Sequence, residues 1–450
     1  MKKSSVLIAA LGFLLGSVNG WSYGPRSVTA TGNLVKWALP VRIDLENTLQ
    51  VRGKDVSALV DEGLGAWSGV KDAGVSYSKQ SLGVDVTADN VCCYLYDSAI
   101  CPKGPITDGK NPLVIDEDGS IVAKFFGKDN RYVTLGFAAI VSFDAQTGAA
   151  AKGEAVFNAA CLNTVELEGC KDAKLSFSDD DFVAFIVHEI GHMLGLNHSQ
   201  VNLTEAQDSD ASNDAQITTM YPFFKVGIGK YFKTPERDDQ VGIAFLYPSA
   251  DFSQKYFMVT GTIYDKNGKT EFACANLVAR NSSAGKERTD AVSFVSGQLC
   301  PGGKFDGSCD GNYEIHGLDP SQAYTISVEP IDSHLVSSSG MPPCESTGRQ
   351  PTFDKQTRVG TVNNTTGGTS SGIDFTLTNT SGNVNRLLLG ELDISSSAGF
   401  DGSVVADEIE QIELKSATDS CSSDTTSGGT NSTADGGSTA ASCTLIPERN

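Results

Sequence analysis

Five histidines occur in the 450 residues, and three of them fall within VHEIGHMLGLNHSQ, residues 187–200. If that stretch is helical, His188 and His192 project from one face, because residues four apart lie on adjacent turns. Two imidazoles so placed can take two corners of a tetrahedral zinc. Gly195 lets the chain leave the helix sharply, and His198 returns as a third ligand. Three neutral imidazoles leave the fourth corner to water, the arrangement of a catalytic zinc. Glu189, next to the first ligand, is placed to take that water's proton and pass it to a leaving amine. A chance match to His-Glu-x-x-His-x-x-Gly-x-x-His in a chain so poor in histidine has odds on the order of 10⁻⁶ to 10⁻⁵. Metal ligation is therefore the reading adopted.

Those side chains need a helix and a frame to hold it. SFSDDDFVAFIVHEIGHMLGL (176–196) reads as that helix, with Ser178 as N-cap, Asp181 three residues on and acids 179–181 at the positive end of the dipole. DVSALVDEGLGAW (55–67) places Val56, Leu59, Val60, Leu64 and Trp67 on one helical face. WALPVRIDL (37–45), YVTLGFAAIVSF (132–143) and GEAVFNA (153–159) read as strands. A last helix is expected from Thr234-Pro235 to about Tyr247, with Val241, Ala244 and Phe245 inward. From about residue 256 the helical period disappears. VTGTIYDKNGK reads as a hairpin, and YEIHGL, AYTISVEPI and IDFTLTN as further strands. Residues 416–442 are rich in Ser, Thr, Gly and Asp without an aromatic, the composition of a disordered segment.

The histidine string is the metzincin signature, and the chain resembles that clan of zinc peptidases. The resemblance implies a Met-turn beneath the zinc, which ITTMYPFF (217–224) supplies as Met220. Ser199 after the third histidine and Met220-Tyr221-Pro222 resemble the matrixin branch, as do KWALP (36–40), Ala66-Trp67 and ERDDQVGIAFLYP (236–248). By that likeness, an aspartate of the pair Asp238 and Asp239 ties the last helix to the Met-turn. Tyr221, Pro222 and Phe224 would wall the pocket for the side chain after the cut bond, and LGFAA (135–139) would be the strand edge that receives an extended peptide. Met220 and Phe224 also fit a plain core role. The likeness covers roughly residues 30–250.

Two departures stand out. Phe137 and Val156 occupy places where that family carries histidines for a second zinc, and no histidine precedes His188. A second zinc of that type is not expected. The family's capping cysteine is also missing, since no Cys comes before Cys92. The loop IDEDGSI (115–121), with Asp116 and Asp118, either binds Ca²⁺ or is a solvated turn.

The remaining features bound the setting. Lys2 and Lys3, the apolar run 6–16 and small residues after it read as a signal peptide, residues 1–20, so the mature chain is expected to be secreted. The formal net charge of −21 becomes −23 when those two lysines leave, which argues against nucleic acid as a partner. No later run is long and apolar enough for a transmembrane segment. Export makes disulfides the expected state of the eleven cysteines. The odd count leaves one thiol over, with Cys92 or Cys93 a candidate.

The expected architecture is an α+β, zincin-like catalytic domain over residues 21–250, with a mixed, twisted sheet and an active-site helix. An all-β sandwich resembling carboxypeptidase-regulatory-like domains follows over 256–395, then a disordered tail over 396–450. In that sandwich His316 and His334 read as surface residues. The expected function is a monomeric, secreted zinc endopeptidase acting on polypeptide through one Zn²⁺. The competing reading is an inert surface adhesin built on a protease-like domain.

Overall fold

A computed structural model describes residues 25, 27–97, 99–164, 166–172, 175–199, 201–202, 205, 210, 212–224, 226–304, 307, 309–331, 353–365, 368–380 and 441–445. The expected signal peptide (residues 1–20), His334 and most of the expected disordered tail lie outside them. The chain is mixed α+β, with one mixed sheet and further sheets that contain no helix.

The elements follow the hydrophobic pattern. Strand β1 (Val41–Leu45) leads through the short hairpin β2 (Gln50–Val51) and β3 (Lys54–Asp55) to helix α1 (Ser57–Ser68). Then come β4 (Tyr77–Ser81), β5 (Pro112–Asp116), α2 (Ser120–Phe126), β6 (Thr134–Phe143) and β7 (Ala150–Asn158). The short α3 (Glu168–Asp172) precedes the central helix α4 (Asp179–Met193). After it lie β8 (Phe223–Phe224), α5 (Gly229–Phe232), α6 (Arg237–Leu246) and α7 (Phe252–Lys255).

The large sheet runs in the order β4-β1-β5-β7-β6, where β1, β4, β5 and β7 are parallel neighbours and β6 is antiparallel to β7. Helix α4 packs against β6 and β7 on one side and α1 on the other. It is buried from Asp181 to Met193, as expected of a helix that is apolar nearly all round. The close approach of α1 depends on Gly63, where a Cβ would meet Ile186 Cγ2 at 2.3 Å. Trp67 Nε1 donates to the Val187 carbonyl at 2.7 Å and fixes the register of the two helices.

The start of α4 is as the sequence predicts. Asp181 N donates to Ser178 Oγ at 3.2 Å, and Ser178 N donates to Asp181 Oδ2 at 2.9 Å, a reciprocal capping box. The helix ends at Gly195, whose φ of +97° favours glycine. Its last carbonyls are taken by side chains: Trp37 Nε1 donates to Met193 O, and Tyr247 OH to Leu194 O, each at 2.7 Å.

A second core lies beyond α7. It is enclosed by β9 (Phe257–Tyr264), β10 (Asn276–Asn281), β11 (Ala291–Val295), β12 (Asn312–Leu318), β13 (Tyr324–Glu329), β14 (Gln356–Thr357), β15 (Gly368–Ser370) and β16 (Phe375–Thr376). One sheet runs β11-β10-β13-β14, and the other β12-β9-β15 with β16 also on β9. The hairpin expected at 259–269 is reduced to a single bridge, Tyr264 to Glu271, because β9 pairs instead with β12 and β15.

Three further expectations change. Helix α6 begins at Arg237, two residues after Pro235, capped by Glu236. Val241 faces the second core, while Phe245 is only half-buried and stacks on His316 at 4.5 Å. The helix is thus shared by both cores, and Ile243 and Leu246 serve the first. Disulfides join Cys92 to Cys101, Cys161 to Cys170 and Cys300 to Cys309. Cys93 and Cys274 are disulfide-bonded as well, so neither Cys92 nor Cys93 is the thiol left over. Finally, residues 441–445, expected to be disordered, form strand β17, which joins the large sheet between β6 and β8.

Candidate metal centre

The three histidines of the motif converge. His192 Nε2 lies 3.1 Å from His188 Nε2 and 3.2 Å from His198 Nε2, and all three side chains are buried. Among the described residues these three form a group able to hold a metal ion. Tetrahedral zinc with Zn–N bonds of about 2.0–2.1 Å places its ligand nitrogens about 3.3 Å apart, close to the spacing found.

The other ring nitrogens decide what this convergence means. His188 Nδ1 is 2.7 Å from the Thr219 carbonyl, and His192 Nδ1 is 2.9 Å from the Leu196 carbonyl. A carbonyl only accepts, so each Nδ1 carries the proton and each Nε2 presents a lone pair. Two lone pairs facing each other at 3.1 Å repel, and a cation between them removes the conflict. The donor set fits Zn²⁺ on these grounds. Burial also pushes the His188 pKa down to about 4, which keeps the ring in the neutral, ligating form.

Glu189 is fully buried at the edge of this group. Gly136 of β6 makes room for it: a Cβ there would stand 3.0 Å from Glu189 Cγ and 2.7 Å from the Val156 carbonyl. The Glu189 carboxylate therefore lies between α4 and strand β6. Nothing in the spacing of the motif pointed to Gly136; a lone glycine inside a strand pattern was the available signal.

Met220 sits beneath the helix. Gly191, between the first two histidines, has no Cβ because one would meet Met220 Sδ at 2.4 Å and Trp67 Cζ2 at 2.9 Å. Asp239 accepts from Thr219 N at 2.9 Å, Met220 N at 3.2 Å and Glu236 N at 2.9 Å. It thereby positions the carbonyl that orients His188. Ser199 N donates to Met220 O at 2.8 Å, and the Ser199 hydroxyl donates to Asp238, so the third-ligand loop is held from both sides. Asp238 also accepts from Ser293 N and Oγ in β11, at 2.6 and 2.9 Å. Burial raises the pKa of both carboxyls, Asp238 to about 6.

The remaining expected residues are placed as follows. Tyr221 and Pro222 are buried beside Met220. Phe224 packs edge-to-face on Phe185 at 4.4 Å and on Phe232 at 5.4 Å, inside the first core. Phe137 and Val156 pair across β6 and β7, and Phe137 stacks on Phe125 and Phe126, so an apolar cluster fills that place. The carboxylates of the acidic loop cap α2: Asp116 accepts from Val122 N at 2.8 Å, and Asp118 accepts from Ser120 N and pairs with Arg131. Among the described residues, Asp116 and Asp118 belong to no cluster of three acidic, histidine or cysteine side chains suited to an ion. His316 is neither fully exposed nor near the triad; it stacks on Phe245 and bonds Glu314.

No protein-family model matches this chain, and no curated protein matches it.

Proposed function

We propose that this chain is an exported, single-zinc endopeptidase of the metzincin clan, with a matrixin-like catalytic unit followed by a β-sandwich. One observation carries the reading: three buried imidazoles whose ligand nitrogens lie within 4.8 Å of one another, two of them with Nε2 left free to donate a lone pair, and a buried carboxylate next to the first.

His188, His192 and His198 would hold the ion. Bound there, Zn²⁺ would polarise the scissile carbonyl and lower the pKa of water to roughly 7. Glu189 takes the proton from the attacking water and delivers it to the amine that leaves. Its burial between α4 and β6 limits competing solvent and holds the carboxylate in one place. An extended polypeptide would pair along the edge of β6, so backbone hydrogen bonds rather than particular side chains would supply much of the binding. Met220, held by Asp239, keeps the floor of the site from shifting.

Three measurements test this together. Elemental analysis of the purified chain should find one zinc. Casein should be cleaved by the chain shortened to end at Ala440, which lacks the strand paired with β6, and phenanthroline should stop the cleavage. Glu189→Ala should retain the zinc and lose activity by about 10³-fold or more, the combined contribution of proton transfer and water activation. Zinc without chelator-sensitive cleavage of any polypeptide would favour the inert adhesin instead.

A further inference from the structure

The large sheet receives a strand from far along the chain. β17 (Ala441–Leu445) runs antiparallel to β6, with Ala441 opposite Ala138, Ser442 opposite Phe137, Cys443 opposite Gly136 and Thr444 opposite Thr134. Its other edge pairs parallel with β8, Thr444 with Phe223 and Leu445 with Phe224. It is thus bonded on both sides, and it also approaches α4.

Its register matters. Gly136 is the strand residue that abuts Glu189, and Cys443 is its partner. Antiparallel partners have Cα atoms about 4.5–5.5 Å apart, so the middle of β17 crosses the cleft beside the base. A segment bonded to both β6 and β8 leaves no free ladder for a second peptide between them. Because it belongs to the same chain, its pairing is intramolecular and has an advantage over a free peptide of the same sequence.

We propose that β17 is a resident occupant of the groove between β6 and β8: this strand closes the site to other extended peptides until it is withdrawn or cut away. Only the meaning of the cleft rests on the peptidase reading; the seating of the strand is a separate claim. β17 carries no charged residue, so backbone pairing rather than ion pairing would hold it.

Hydrogen exchange and a peptide titration test it. The full chain is compared with a chain ending at Ala440 and with a full-length Ser442→Pro, Thr444→Pro variant, which loses two backbone donors from the strand. Amides within residues 134–138 that bond to β17 should exchange at least tenfold faster in both variants. A labelled peptide of residues 441–450 should bind the shortened chain at least tenfold more tightly than the full chain. Equal exchange in all three proteins, with a peptide that binds neither chain or both alike, overturns the proposal. If the shortened chain exposes β6 but cuts no casein, the seating stands and the peptidase reading falls. If all three cut casein equally and exchange equally, the seating falls alone.

Discussion

The His188 and His192 rings are each oriented by a backbone carbonyl, and the side chain behind the first of these carbonyls can be removed. Asp239 reaches His188 through Thr219: the carboxylate takes two turn amides, and the turn's carbonyl orients the ring. Asp239→Ala should weaken zinc binding by about tenfold or more, the usual effect of losing an outer-shell partner, as read by chelator competition. His192→Ala should abolish stoichiometric zinc altogether. Glu154 offers a pH test away from the site. Burial pushes its pKa from 4.5 up to about 8, so the folded state binds its proton more tightly than the unfolded chain. The stability this supplies is complete below about pH 4.5 and is lost as pH rises through about 8. Glu154→Gln keeps an acceptor for Tyr96 N and cannot ionise. Its melting temperature should therefore fall less between pH 5 and 9 than that of the unaltered chain. The convergence of His188, His192 and His198 was legible in the sequence because helix geometry ties position to spacing. Thr219 and Leu196 were not, since both act through carbonyls that any residue would carry.

At the scale of elements, glycine marks where packing is closest. Gly191→Ala would drive a methyl into Met220 and Trp67. The expected cost is about 1–3 kcal/mol in denaturant unfolding, typical of an overfilled core. Ser178→Ala should cost about 1 kcal/mol by removing half of a capping box. The helices were readable from periodicity and caps, and α4 starts where its N-cap places it. The errors arose where one element serves two neighbours. Helix α6 shows Val241 to one core and Ile243 to the other, so no single apolar face describes it. β17 was missed for another reason. Its Ser/Thr-rich flank has the composition of a disordered segment, while its pairing depends on residues some 300 positions away.

Across the whole molecule, the two cores are joined by polar groups that also serve the metal site. Asp238 holds Ser199 on the third-ligand loop and Ser293 in β11, and Arg237 pairs with Asp290. Removing the second core would leave Asp238 buried among fewer partners and the third ligand less firmly placed. The placement of β17 has a consequence for timing. Translation delivers β6, α4 and β8 first and the closing strand roughly two hundred residues later. At about 5–20 residues per second, that gap lasts roughly ten to forty seconds. On the peptidase reading, the nascent chain would hold an open groove during biosynthesis until the strand that fills it has been made.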